Sequence, residues 1–193
     1  MKKTLIDYIK RPKYDELYTP EIVVYPLLKY LPKGKIYWEC TDFGGSNITK
    51  VLTKEGFKVR TSGLLKDGFD FLTDEPSFEF DIIITNPPYS LKNHFLKKCY
   101  EYKKPFALLL PLTALEGIER GKMFRKYGIQ VLVLDKRISF LKHKNSPWFA
   151  VAWFCWRLLP RELVFESLKA VSGNPVQTEI SPKKSASLRK YLS

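Results

Sequence analysis

The residues best suited to chemistry are Asn86-Pro87-Pro88-Tyr89. Two consecutive prolines fix φ twice and remove two N–H donors. The stretch therefore offers carbonyl oxygens and an Asn amide as hydrogen-bond acceptors in a nearly fixed geometry. Tyr89 adds a flat aromatic face beside them. The chemistry on offer is preorganised hydrogen-bond acceptance next to a stacking surface, which needs no strong general base. Phe80-Asp81-Ile82-Ile83-Ile84-Thr85 precedes the turn and reads as a buried strand, because β-branched residues dominate it. A rigid polar turn at the carboxyl end of a central strand is where open α/β sheets place their ligand chemistry. Asn-Pro also opens ordinary turns, so the placement matters as much as the composition.

The surrounding elements alternate in type. Tyr18-Thr19-Pro20-Glu21 reads as a helix start, with Thr19 as N-cap and Pro20 in the first turn. Ile22, Val23, Leu27, Leu28 and Leu31 give that helix an apolar face, and Pro26 is expected to kink or divide it. Lys35 to Glu39 reads as the first strand, residues 40–47 as a loop, and a helix follows from about Ser46. Ile48, Val51 and Leu52 mark its buried face and Gly56 its end. Phe57 to Thr61 reads as the second strand. Beyond the Pro-Pro turn, Ser90 is the expected N-cap of a helix to about Tyr102, with Leu91, Phe95, Cys99 and Tyr102 inward. Pro105 to Pro111 and Ile129 to Leu134 read as buried strands. Between them, the capping-box spacing at Thr113-Ala114-Leu115-Glu116 predicts a helix that stops near Gly128. Phe149 to Trp156 reads as an antiparallel strand, and Glu162 to Leu168 as a short helix. This alternation predicts a Rossmann-like α/β fold: a mostly parallel sheet, helices on both faces, and an antiparallel strand near the carboxyl terminus.

Residues 1–18 carry a basic lead-in, 19–160 the sheet domain, and 161–193 a basic, Ser-rich extension. The length suits one domain with a proper core. The formal charge of +13 suits a polyanionic partner such as nucleic acid. It weighs against a protein side chain as the substrate. No apolar run approaches the ~20 residues of a membrane span, so no membrane role is expected. Residues 1–7 lack the apolar core of a signal peptide, and a cytoplasmic location is expected. Cys40, Cys99 and Cys155 are scattered and odd in number, which disfavours a disulfide framework or a metal site. Lys136, Arg137, Lys142 and Lys144 interleave with Phe140 and lead to Trp148. That mixture suits phosphate contacts plus base stacking, and a charged hairpin at the sheet edge would have the same composition.

The Asn-Pro-Pro-Tyr turn resembles the catalytic motif of amino-methyltransferases that use S-adenosylmethionine. In that family the Asn side-chain oxygen and the first Pro carbonyl accept hydrogen bonds from a planar exocyclic amine. The aromatic residue stacks on the target base. The resemblance therefore implies that Asn86, Pro87, Pro88 and Tyr89 are catalytic, with Tyr89 also binding substrate and Asn86 also facing the cofactor. It extends from about Thr19 to Trp156 and implies a class I methyltransferase sheet. Thr19-Pro20 resembles the element that helps hold the methionine end of the cofactor. Glu39-Cys40-Thr41-Asp42-Phe43-Gly44-Gly45 corresponds to the family's acid-Pro-Ala-Cys-Gly-x-Gly loop, so Glu39, Thr41, Gly44 and Gly45 are implied cofactor residues. Phe43 stands where the family usually has its first Gly, and Gly44 is expected to supply the flexibility one position later. Asp70 and Phe71 match the element that receives the adenine amino group and packs on the ring. The family also ends its second strand with an acid that binds the ribose hydroxyls. Here that position falls at or near Gly63, with Ser62 as a possible substitute.

Within the family the chain is most similar to the small DNA adenine-N6 methyltransferase-like group of phages and prophages. The implied reaction is methyl transfer from S-adenosylmethionine to adenine N6 in nucleic acid, with DNA favoured over RNA and cytosine N4 also served by the same turn. A phage-encoded protein would act in the host cytoplasm. Little chain separates Gly63 from Asn86, so sequence specificity is expected from small loops such as residues 136–148. Phe43 and Gly63 motivate a second reading. In it, a methyltransferase fold is retained as a nucleic-acid- or protein-binding module with little or no turnover.

Overall fold

The structure, a computed structural model, describes residues 19–138 and 150–168. Of the residues named above for phosphate contacts and stacking, Phe140, Lys142, Lys144 and Trp148 lie outside the described residues, as do the basic lead-in and most of the carboxyl-terminal extension.

In chain order the elements are α1 (Glu21–Leu28), β1 (Ile36–Glu39), α2 (Asn47–Lys54), β2 (Lys58–Thr61), α3 (Leu64–Asp67) and β3 (Ile82–Thr85). A 3-10 turn (Tyr89–Leu91) leads into α4 (Lys92–Glu101), followed by β4 (Phe106–Pro111). A second 3-10 turn (Leu112–Leu115) precedes α5 (Ile118–Tyr127), β5 (Gln130–Leu134), β6 (Val151–Trp156) and β7 (Leu163–Glu166). The seven strands form one sheet in the order β2-β1-β3-β4-β6-β5-β7. Pairs β1–β2, β1–β3, β3–β4 and β5–β7 are parallel. Among the described strands, only β6 runs against its neighbours, β4 and β5. The six co-directional strands thus share one carboxyl-terminal side.

Every residue of β3, β4 and β6 is buried. Successive strand residues point to opposite faces, so both faces of the sheet centre are covered, as a parallel sheet requires. The wall beneath the first three strands is aromatic. Trp38 of β1 has Phe69, Phe71, Phe78, Phe80 and Tyr102 within ring-contact distance. Its indole N–H donates to Ser62 Oγ at 2.9 Å. Ser62 is buried, 2% exposed, and turned toward the core. On the other side of the sheet centre, the Trp153 indole donates to the Val23 carbonyl at 2.9 Å and pins α1 to β6.

Several boundaries differ from the sequence reading. Pro20 is the residue before α1, in an extended conformation (φ −61°, ψ 138°), and Thr19 makes no side-chain cap. Pro26 lies inside α1, and the helix stops at Leu28. Ser90 falls within the 3-10 turn, where Leu91 N–H donates to the Pro88 carbonyl at 2.9 Å, and α4 begins after it. Thr113 likewise opens no α-helix, because Gly117 (φ 121°) resets the chain before α5. Glu162–Leu168 is not a helix: Leu163–Glu166 adds β7 to the outer edge of β5. The sheet therefore continues past residue 160. Gln130 anchors the crossover, accepting from Leu158 N–H (2.9 Å) and Leu159 N–H (3.1 Å).

Candidate active site

The chain leaves β1 for β2 on one side and returns to β3 on the other, so the strand order reverses between β1 and β3. Open α/β sheets bind ligands outside the strand ends at such a point. Three loops meet there: residues 40–46 after β1, residues 62–63 after β2, and residues 86–88 after β3.

Glu39 ends β1 and is 1% exposed. Its carboxylate accepts from Thr41 N–H (3.0 Å), Ser46 Oγ (3.1 Å) and Thr85 Oγ1 (2.5 Å). With the Thr85 proton on Glu39, the Thr85 oxygen is open to the Thr41 hydroxyl, 2.5 Å away. Thr41 Oγ1 also lies 3.1 Å from Glu39 Oε1 and 3.5 Å from the Asn86 carbonyl. Two loops distant in sequence are thus tied through one buried carboxylate and two hydroxyls. Burial pushes the Glu39 pKa up to about 7, against the pull of the Thr85 and Thr41 hydrogen bonds.

Asp42 organises the next segment. Its Oδ1 accepts from the N–H groups of Gly44 (2.7 Å), Gly45 (3.0 Å) and Ser46 (3.2 Å), and its Oδ2 from the Thr49 hydroxyl (2.7 Å). Burial opposes its charge, yet the Thr49 hydroxyl and the three N–H groups outweigh burial and lower its pKa. Gly44 takes φ +99°, so the left-handed turn does fall one position after Phe43. Ser46 then caps α2, its Oγ accepting from Ile48 N–H at 3.2 Å. Asn47 Nδ2 donates to the Thr19 carbonyl at 3.0 Å, which brings the Thr19-Pro20 segment against the start of α2.

Asn86-Pro87-Pro88 emerges from β3 at the same end of the sheet. Asn86 is half-buried, and Tyr89 is 9% exposed, inside the 3-10 turn. Lys92, which sequence reasoning passed over, donates its Nζ to the Tyr89 carbonyl at 3.0 Å. A cation three residues along the helix start was the available signal. Arg120 of α5 braces α4 from outside through Asn93 (2.6 Å) and the Ala114 carbonyl (2.7 Å).

Two expected cofactor residues are placed differently. Asp70 is buried, and its Oδ1 accepts from Leu72 N–H at 2.9 Å, while its own N–H donates to Asp74 Oδ2 at 2.8 Å. One of its carboxylate oxygens therefore serves its own turn. Phe71 is fully buried, stacked on Phe95 at 4.9 Å and tilted against Trp38 at 5.3 Å. Its ring belongs to the core. Lys136 and Arg137 are exposed just beyond β5, whose carboxyl end lies on the same side of the sheet as the turn. Cys40, Cys99 and Cys155 are buried, and burial pushes all three thiols up, so none is a ready nucleophile.

No protein-family model and no curated protein sequence matches the chain. Solved structures do. A Listeria monocytogenes protein assigned to the class I S-adenosylmethionine-dependent methyltransferases aligns with a TM-score of 0.55 at 14% identity, over 87% of this chain and 71% of its own. The chain has the class I methyltransferase fold. A Vibrio vulnificus protein assigned as the modification subunit of a type I restriction enzyme aligns at TM-score 0.46 and 14% identity, over 83% of this chain and 48% of that one. A Pyrococcus horikoshii protein assigned as an RNA methyltransferase aligns at TM-score 0.46 and 16% identity, over 76% and 87%. No helix among the described residues is long and apolar enough to cross a membrane.

The fit of an adenosine sulfonium to this crevice is uneven. The Thr19 carbonyl meets Asn47 at the start of α2, and Thr41 lies between the Glu39 carboxylate and the Asn86 carbonyl. At the end of β2, where the family carries its ribose-binding acid, a side chain is excluded, since a Cβ on Gly63 would stand 2.1 Å from the Asp42 carbonyl oxygen.

Proposed function

We propose that this chain is an S-adenosylmethionine-dependent methyltransferase acting on the exocyclic N6 amine of adenine in nucleic acid, with DNA preferred to RNA. The observation that carries the proposal is the Asn86-Pro87-Pro88-Tyr89 turn at the carboxyl end of β3, joined through Thr85 and Thr41 to the loop after β1. The class I fold supports the donor assignment.

When bound, S-adenosylmethionine would supply an electrophilic methyl on a sulfonium. Thr19 and Pro20 would hold its methionine end, Glu39 and Thr41 would set the loop, and Gly44, Gly45 and Asp70 would border it. The residues of the turn act on the amine. Adenine N6 is a poor nucleophile because its lone pair is delocalised into the ring. Asn86 Oδ1 and the Pro87 carbonyl each accept one amine hydrogen, which favours the pyramidal form and localises the lone pair. Pro88 (φ −54°, ψ 123°) holds the acceptors in place, so little reorganisation is needed as positive charge develops on nitrogen. Held by Asn86 and Pro87, N6 would present its lone pair to that methyl, and the extra proton of the methylated amine would pass to water. Tyr89 is assigned the stacking contact with the base. A base inside a duplex is out of reach, so the adenine is flipped out or single-stranded. Lys136 and Arg137 are assigned to phosphates.

Labelled methyl transfer to DNA and RNA tests this reading. Wild type is expected to label adenine N6, and Asn86→Ala is expected to abolish transfer while nucleic-acid binding survives. Continued methylation by Asn86→Ala would refute the mechanism. The second reading, a binding module without turnover, is favoured by the closed ribose end and by the burial of Phe71. Nucleic-acid binding without any affinity for S-adenosylmethionine at millimolar concentration would decide for it.

A further inference from the structure

Phe43 and Gly63, the two departures from the family pattern, belong to a single structural feature. The loop after β1 lies across the end of β2: Ser62 N–H donates to the Glu39 carbonyl at 3.1 Å, and Asp42 N–H to the Ser62 carbonyl at 3.0 Å. A Cβ on Gly63 would meet the Asp42 carbonyl oxygen at 2.1 Å and its carbon at 2.8 Å. These are backbone atoms, which cannot swing aside as a side-chain tip would. No carboxylate can grow from position 63 while the loop lies there. Ser62 offers no replacement, being 2% exposed and bonded to Trp38. The N–H groups of Gly44, Gly45 and Ser46 are taken by Asp42.

The same loop brings an aromatic ring to the surface beside this closed end. Phe43 adjoins Asp42 and is 41% exposed. Its Cε2 would lie 3.5 Å from a Cβ on Gly45, so the ring lies across the glycine turn. Phe71, the aromatic expected against the base, is fully buried. A planar base is held well by an accessible aromatic face, whereas a diol needs fixed acceptors.

We propose that Phe43 is the nucleoside-binding residue of the donor site, holding the adenine by stacking, and that the site leaves the ribose 2′,3′-diol unread. This rests on the assignment of an adenosine sulfonium as donor. The site is then specific for a base and an amino-acid end, and tolerant of the sugar between them.

Calorimetric titration of the full chain with S-adenosylhomocysteine and with its 2′,3′-dideoxy analogue is the test, run on wild type, Phe43→Ala and Phe43→Tyr, with a thermal melt of each. The expected result is wild-type affinity for the two compounds within about threefold. Phe43→Ala should weaken both about tenfold or more with an unchanged melt, and Phe43→Tyr should restore binding. A dideoxy analogue bound more than about tenfold more weakly by wild type would show that the diol is read and overturn the proposal. So would a Phe43→Ala variant that binds like wild type; either result leaves the donor assignment standing. A wild-type chain that binds neither compound overturns the donor assignment and the proposal together.

Discussion

Replacing Glu39 by Gln should change how stability depends on pH. The Glu39 carboxyl is fully buried, and burial raises its pKa from 4.5 to about 7. Below pH 4.5 it is protonated in both folded and unfolded chains and contributes no slope. Between 4.5 and 7 the unfolded chain releases its proton and the folded chain keeps it, so stability falls as pH rises. Above 7 both forms are ionised and the loss is constant. A displacement of this size corresponds to about 3 kcal/mol, since one pKa unit is worth about 1.4 kcal/mol. Gln keeps an oxygen for the Thr85 and Thr41 hydroxyls but carries no charge. Urea unfolding of both proteins from pH 5 to pH 8 isolates the effect, because the other titrating groups cancel in the difference. Wild type should lose about 2–3 kcal/mol relative to Glu39→Gln across that range. A difference that stays flat within about 0.5 kcal/mol would refute the picture of a buried, proton-holding carboxylate.

The other predictions concern the loop contact and the substrate surface. Gly63→Ala forces the Asp42 backbone away from the end of β2 and should cost up to about 3 kcal/mol, read as a lowered midpoint of urea unfolding. A wild-type midpoint would mean that the loop yields freely. Replacing Lys136 and Arg137 together by Ala should reduce the slope of log K against log salt for DNA binding by about 2, and weaken binding similarly for every sequence. An unchanged slope would place the phosphates elsewhere.

Much of this architecture is legible in the residues. Ile82–Thr85 and Val151–Trp156 are strands because β-branched and aromatic runs bounded by turn residues have few other solutions, and Phe106–Pro111 is a short apolar run between two prolines. Ile48, Val51 and Leu52 declare the inner face of α2 by spacing alone. Leu163–Glu166 could not be read the same way. Four residues do not separate a helix from a strand, and the open edge of β5 makes the choice. The site shows the same division. Asn86-Pro87-Pro88 is rigid from its own covalent chemistry, so its character is local. The burial of Phe71 comes from Trp38 and Phe95, which no local pattern ties to it. Asp42 had a weak signal, an Asp followed after Phe43 by two glycines and a serine, which favours a carboxylate folding back on the following N–H groups. Thr85 had another, a hydroxyl ending a run of three isoleucines.

The position of β6 has a consequence for the order in which the molecule assembles. β6 lies between β4 and β5, both of which precede it in the chain. Until Val151–Trp156 arrives, β4 is an unpaired edge of six residues, all of them buried in the finished protein. β5 meanwhile has no partner, since both its neighbours come later in sequence. A chain that assembles in sequence order therefore inserts β6 between two strands already present. That is a non-local closure, slow by nature and exposed to edge-to-edge aggregation while it is pending. Trp153 and Trp156 ride on the inserting strand, so in a chain whose Trp38 and Trp148 are replaced by Phe their fluorescence should report this step during refolding.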